Sequence, residues 1–485
     1  MMNKHCNMIK LSRFKFALLM TAVFATVHLC FYLKGIRFDS STLTWFWQYL
    51  DMDLYKNHLS QSLWYLHSQP PLFNLFLGTI IKLFPTHYPL ALHCIYISSG
   101  LALYLALFEI QTMLAIPRWV AFGVCAFFII EPSFILYEHW LFYTLPVTAL
   151  LTLSILMLAK FVFSAKSRFL WGFFGILLLI CGIRSMFHLI YLIAIAALAI
   201  VVFRENRRKV FLAAIVPILL IAALYGKNAC LFGNFGASSW LGIHVWDIVT
   251  THLPTDVKNR LVADGKISPV VMVKTFGPLD RYHPKFLEHK PAADVPVLTS
   301  TTKTNGERNL NHFAYIHIAR EYFTSSVYVI THYPLVYVKS VAEAWFYYLQ
   351  PSSELPFLYP NLEKISGYNN LFSYQLYQKT ILPQSFPVAD KKYLFPVLIL
   401  AFPLLLLYSV VLLLRVRDTK VRIILGLICF NLLYISILGN CLETYENNRF
   451  RFMLGPMFAI LAGLFFSRAV LPRVLRGAKP SAYAE

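Results

Sequence analysis

Pro70-Pro71-Leu72-Phe73-Asn74-Leu75-Phe76-Leu77-Gly78-Thr79-Ile80-Ile81-Lys82-Leu83-Phe84 is the stretch whose placement decides the fold. As a helix it would be about 22 Å long, short of the roughly 30 Å of hydrocarbon that a membrane span must cross. Around it, the 485-residue chain is 58% hydrophobic, its mean hydropathy is +0.60, and apolar runs of about 18 residues or more recur. The sequence therefore predicts an α-helical polytopic membrane protein. The open question is whether residues 70–84 cross.

Charge decides it. A net charge of +20 would suit nucleic acid if it lined one surface, but Lys and Arg cluster instead at the ends of the apolar runs. If 70–84 crosses, the basic links 160–168 and 204–209 fall outside; if it lies on the surface, both share the side of the N-terminus. The surface placement leaves about ten spans, at 14–33, 89–113, 119–136, 141–163, 169–183, 186–203, 210–225, 393–414, 421–438 and 450–470, with both ends inside. The first follows Lys4, Lys10, Arg13 and Lys15 without a small-x-small cleavage site, so it reads as an uncleaved span. The division is then an N-terminal membrane module (1–226) with a first outer loop at 34–87, an outer domain of mixed structure (227–392), and C-terminal helices with a basic tail (393–485). Within the outer domain, 326–349 is apolar but broken by Pro334, which suits an interfacial helix. Cys230 and Cys441 share the outer side and are the one pair able to bridge.

Polar residues at the outer ends are the candidates for chemistry. Asp51 and Asp53 sit among Trp45, Trp47, Tyr49 and Tyr55. They read either as solvated acids of a surface helix or as a carboxylate placed to act as general base, with Asp39 competing. His67, just before Pro70-Pro71, reads as part of a rigid helix start or as a group orienting a substrate hydroxyl or phosphate. Glu131 and Glu138 place carboxylates at membrane depth, where such groups face a cavity or a partner; pairing of Glu138 with His139 is the plainer reading. Arg184 marks a hairpin turn or offers fixed donors to phosphate oxygens. Glu443, Glu446, Arg449 and Arg451 pair among themselves or bind a ligand at the mouth of the last span. No His-Glu-x-x-His, Gly-x-Ser-x-Gly, Walker or dinucleotide pattern occurs, so zinc, serine and nucleotide hydrolysis have no motif support.

Several of these residues fall in a familiar order. Asp51-Met52-Asp53-Leu54-Tyr55 follows a first span, Pro70-Pro71-Leu72 comes next, Glu138 precedes the fourth span, a large outer region follows the seventh, and Arg449-Phe450-Arg451-Phe452-Met453-Leu454-Gly455-Pro456 opens the last. The layout resembles the C-type (GT-C) membrane glycosyltransferases that use polyprenyl-phosphate sugars, among them protein O-mannosyltransferases and lipid A aminoarabinose transferases. The resemblance implies a bacterial inner-membrane protein with its site facing the periplasm. It would move a sugar from a polyprenyl-phosphate donor to a lipid, glycan or protein acceptor. It further implies Asp51 or Asp53 as general base, Glu138 as the second outer acid, and Arg184, Arg449 and Arg451, with His67 and Tyr55, around the donor phosphate. Relatives carry Asp-Asp or Asp-Glu, whereas Met52 intervenes here, so both acids remain candidates. A divalent cation, Mg or Mn, is compatible with these acids, although no ligand spacing demands one. The rival readings are a transporter or flippase of a lipid-linked or anionic substrate, for which no inverted repeat is visible, and a polysaccharide ligase or polymerase.

Overall fold

The computed structural model describes residues 2–370 and 397–470, and among these no strand forms beyond two isolated bridges. The elements that matter are α1 (Met2–Leu33), α2 (Leu72–Leu83), α3 (Tyr88–Met113), α4 (Arg118–Ile130), α5 (Pro132–Glu138), α6 (Thr144–Ser164), α7 (Ser167–Ile183), α8 (Leu189–Val202), α9 (Arg207–Phe232), α10 (Leu241–Thr250), α11 (Ala314–His332), α12 (Pro334–Leu349), α13 (Val397–Arg415), α14 (Thr419–Leu442) and α15 (Asn448–Phe465). Six of these helices are long and apolar enough to cross a membrane, or seven if α4 and α5 form one span bent by 61°. The bend falls at Glu131-Pro132, where the proline ring disfavours helical geometry in the residue before it. The expected boundary at 226 falls inside α9. The other expected boundary, at 392, and the basic tail beyond 470 lie outside the described residues.

Contacts between helix ends fix the direction of α1, α3, α4, α6 and α14. Phe16 of α1 stacks on Phe108 at 5.8 Å and lies under the Arg118 guanidinium. Lys160 pairs with Glu109 at 3.2 Å, and Lys420 sits over Phe163. These groups mark one basic end of the bundle. At the opposite end Phe38, just past α1, packs on His93 and Tyr96 of α3, both at 5.2 Å.

The short α2 belongs to that opposite end. Its first residue, Leu72, lies against Gly182 at the last turn of α7. Four residues after its close, α3 begins at the level of Phe38. Twelve residues span only about 18 Å. The stretch that decided the sequence reading therefore leaves and returns to the same end of the bundle.

The described part of the region expected on the outer side, residues 227–370, holds helices, short 3-10 turns and one isolated bridge between Thr302 and Arg308 rather than the mixed structure expected. Its own buried cluster includes Trp240, Trp246, Leu310, Tyr315 and Tyr322, and Trp47 of the first outer loop packs against it. The loop is thereby clamped. Its backbone pairs with the turn after α5, Asp39 N–H donating to the His139 carbonyl at 2.7 Å and Leu141 N–H to the Asp39 carbonyl at 3.0 Å. Asn305 donates to the Thr44 carbonyl, and buried Lys303 to that of Phe46. As the sequence suggested, Pro334 divides the 326–349 stretch, here between α11 and α12. Cys230 and Cys441 are both free thiols.

His67 serves this joint. The Asn311 carbonyl can only accept, so Nε2–H donates to it at 2.8 Å, and the Ser239 hydroxyl donates to Nδ1 at 2.8 Å. Burial first, opposed by the Asn311 bond, lowers its pKa to about 4. A histidine depressed from about 6.5 contributes stability that is complete above 6.5 and lost as pH falls through 4. Acidification from pH 7 to pH 4 should therefore weaken the joint by about 3 kcal/mol. Hydrogen exchange across residues 309–312 should report this loosening, and a His67→Gln variant should show less of it.

Candidate functional site at the outer mouth

Four helix ends meet at the mouth, and each brings a group for chemistry. Arg184 follows α7, Glu443 follows α14, Arg449 lies in the first turn of α15, and Phe142 and Tyr143 precede α6. Both guanidinium groups are nearly closed to solvent, with side-chain exposures of 3% and 4%. They share an aromatic ring. Arg184 lies 4.8 Å and Arg449 5.7 Å from the centre of Phe450, while Tyr143 and Phe142 each take one of them at 5.0 Å. Such contacts contribute about 2 kcal/mol when desolvated. Gly439 makes them possible, since a Cβ there would lie 2.6 Å from the Phe450 ring.

The two cations face two carboxylates. Glu443 Oε2 lies 3.3 Å from Arg449 Nη2 and 3.9 Å from Arg184 Nη2, and Glu446 Oε2 lies 3.1 Å from Arg449 Nη1. Burial pushes the Glu443 carboxyl up, but the Arg184 and Arg449 charges outweigh it and hold its pKa below the ordinary value. Arg184 has one further partner among the described residues, the Met453 sulfur at 3.9 Å. Arg449 Nε and Nη1 have no aligned hydrogen bond, and neither do the buried hydroxyls of Tyr137 and Thr144 or the indole N–H of Trp140. Buried donors ordinarily find acceptors. The amino end of α6 adds its own positive potential beside Tyr143. Buried cations, a helix amino end and donors without aligned partners are features of an anion site, here shared with the Glu443 and Glu446 carboxylates.

A groove adjoins this cluster. It encloses about 460 Å³ between α4, α13 and α15, with Gly123, Phe127, Leu405 and Phe458 along its apolar length and Glu131, Ser133, Ser352 and Arg451 among its polar lining. The volume is that of a small-molecule site. Phe452, another wall residue, stacks on Tyr137 at 4.1 Å, and the Tyr137 hydroxyl lies in the field of both Arg449 and Arg451. Tyr137 thus stands between the groove and Arg449.

Other residues singled out by sequence have different surroundings. Asp51 is taken by the outer region, its carboxylate accepting from the Thr304 backbone N–H at 2.6 Å and hydroxyl at 2.7 Å. Asp53 accepts from Asn57 at 2.6 Å, one helical turn on. Asp39 accepts from the Ser41 N–H at 2.9 Å. Tyr55 is fully buried and donates to Asn74 Oδ1 at 2.5 Å, fixing the loop on α2. Arg451 binds the chain after α12, donating to the carbonyls of Tyr348 and Gln350 and to the Ser352 hydroxyl. His67 is fully engaged in the outer joint. No described contact joins Asp51, Asp53, His67 or Tyr55 to the arginine pair. For Asp51 and His67 sequence could not reveal this, because Thr304, Ser239 and Asn311 lie far along the chain.

Glu138 is paired with His28 of α1 rather than with His139, which donates to the Ile135 carbonyl instead. His28 Nδ1 donates to the Phe24 carbonyl at 2.8 Å, which leaves Nε2 to face the Glu138 carboxyl. The second carboxyl oxygen has no hydrogen bond and lies where a Cβ on Gly100 would be. Among the described residues no group of three or more His, Cys, Asp or Glu is arranged to hold a metal ion.

No protein-family description, curated protein or solved structure matches this chain.

The Glu138 environment gives a direct test. Gly100→Ala should lower thermal stability by several kcal/mol, since it meets a buried carboxylate that cannot reach water. Adding Glu138→Ala should restore much of the loss in a melting experiment. A fully additive double variant would show that the two residues do not meet.

Proposed function

We propose that the chain is an integral membrane glycosyltransferase of the GT-C kind, with ten spans when α7, α8 and α13 also cross, working at the outer face of a bacterial inner membrane. The observation that carries the reading is a pair of buried arginines near an apolar groove. A lipid-linked phosphate has both features, a charged head and an apolar tail. In this reading Arg184 and Arg449 hold the phosphate of a polyprenyl-phosphate sugar, and the groove accommodates the chain.

An acceptor hydroxyl or amine on a lipid, glycan or protein attacks the anomeric carbon. The bond from that carbon to the phosphate oxygen breaks, and polyprenyl phosphate leaves with the electron pair while the acceptor proton passes to a carboxylate. The arginines offset charge growing on the leaving phosphate. Asp51 and Asp53 are the bases implied by resemblance. Glu446 is better placed, because its carboxylate touches Arg449 and remains 32% exposed at the mouth. A Mg or Mn ion is not required by this chemistry.

Purified protein incubated with radiolabelled polyprenyl-phosphate sugars should form a glycosylated product. Arg184→Gln or Arg449→Gln should slow transfer by roughly 100-fold to 1,000-fold, the usual cost of losing one such donor. Glu446→Gln should match that loss, while the Asp51→Asn, Asp53→Asn double variant stays near wild type if neither acid is the base. Transport or flipping of an anionic lipid is a second reading, favoured by the intramembrane Glu138–His28 pair. Movement of lipid across vesicles without any covalent product would select it.

A further inference from the structure

Four non-glycine residues among those described have left-handed backbone, Ala115, Ala165, Phe276 and Tyr445. Ala115 and Ala165 close α3 and α6, where such a conformation caps a helix. Phe276 is buried against Trp47 and Trp240. Tyr445 has no such reason. It is 37% exposed, with φ at 73°, in the link between α14 and α15. A Cβ-bearing residue is disfavoured there and glycine is not.

The strained turn points an aromatic ring out at the mouth. Tyr445 packs on Tyr347 at 5.5 Å. The Tyr347 hydroxyl donates to Glu343, whose other oxygen lies 2.7 Å from His252 Nε2. On either side in sequence are Glu443 and Glu446, both on Arg449, and Thr444, whose buried hydroxyl has no hydrogen bond. Retained strain of this kind gathers at functional sites.

We infer that Tyr445 is a platform for a pyranose ring and sets which sugar the site accepts, a conclusion that rests on the proposed lipid-phosphate-sugar reading. The C–H face of a pyranose carries slight positive charge and suits the negative face of an aromatic ring. Its hydroxyls suit the neighbouring carboxylates, which accept hydrogen bonds. The ring then packs beside the phosphate held by the arginines.

Binding of the purified full chain to undecaprenyl phosphate, bare or bearing glucose or mannose, tests the inference. Wild type should bind at least one glycosylated lipid about tenfold tighter than the bare one, and Y445F should keep that preference. Y445G, whose backbone accepts φ at 73° without strain, should lose the preference while binding the bare lipid as before. A preference that survives in Y445G, or wild type that binds bare and glycosylated lipids alike, overturns the platform alone. Failure of wild type to bind either lipid, or bare-lipid binding unaffected by R449Q, overturns the functional reading and the platform with it.

Discussion

The sharing of Phe450 between two buried guanidinium groups is the constraint on which the mouth of the bundle depends. Arg184 and Arg449 come from helices more than 260 residues apart, and bringing both cations to one ring forces the ends of α6, α7, α14 and α15 together. Ion pairs taken out of water rarely add net stability, because desolvation offsets most of the attraction. Glu443 supplies one carboxylate for both cations, and only Glu446 adds a second to Arg449. An apolar replacement would pack this place more simply. A cost retained in this form has a ready explanation in an anionic ligand.

A second constraint acts on the first outer loop. Its conspicuous residues hold the outer region on the membrane helices. Asp51 receives Thr304, His67 receives Ser239 and reaches Asn311, and Tyr55 closes on Asn74. The loop therefore ties the outer region to the bundle, with Trp47 packing against the outer core and Tyr49 donating to the Leu141 carbonyl next to Phe142. Its polar groups act through architecture. Arg451 does the same for the segment after α12, so the two arginines of one short motif have different roles.

How much was legible in the sequence follows from the range of the forces involved. Apolar runs predicted helices such as 89–113 and 141–163, observed at Tyr88–Met113 and Thr144–Ser164, because hydropathy and helix length are local properties. The placement of 70–84 was legible from charge, since the basic links have to share one side. Of the ten spans expected, six or seven correspond to helices long and apolar enough to cross, because α7, α8 and α13 are short. The clustering of Arg184 with Glu443 and Arg449 was visible only as separate charged spots. The partners of Asp51 and His67 are 253 and 172 residues away, a pairing that no local pattern encodes. Glu138 was recognised as a costly intramembrane acid, but its neighbour in sequence, His139, proved a poor guide to its partner.

Native mass spectrometry of the purified protein can show whether the arginine pair holds an anionic lipid headgroup. Undecaprenyl phosphate and undecaprenol share a tail and differ in the phosphate. The phosphate form should stay bound through detergent removal, at least about tenfold more than the alcohol, and this difference should vanish in an Arg184→Gln, Arg449→Gln double variant. Equal retention of the two lipids by the wild-type chain would contradict it.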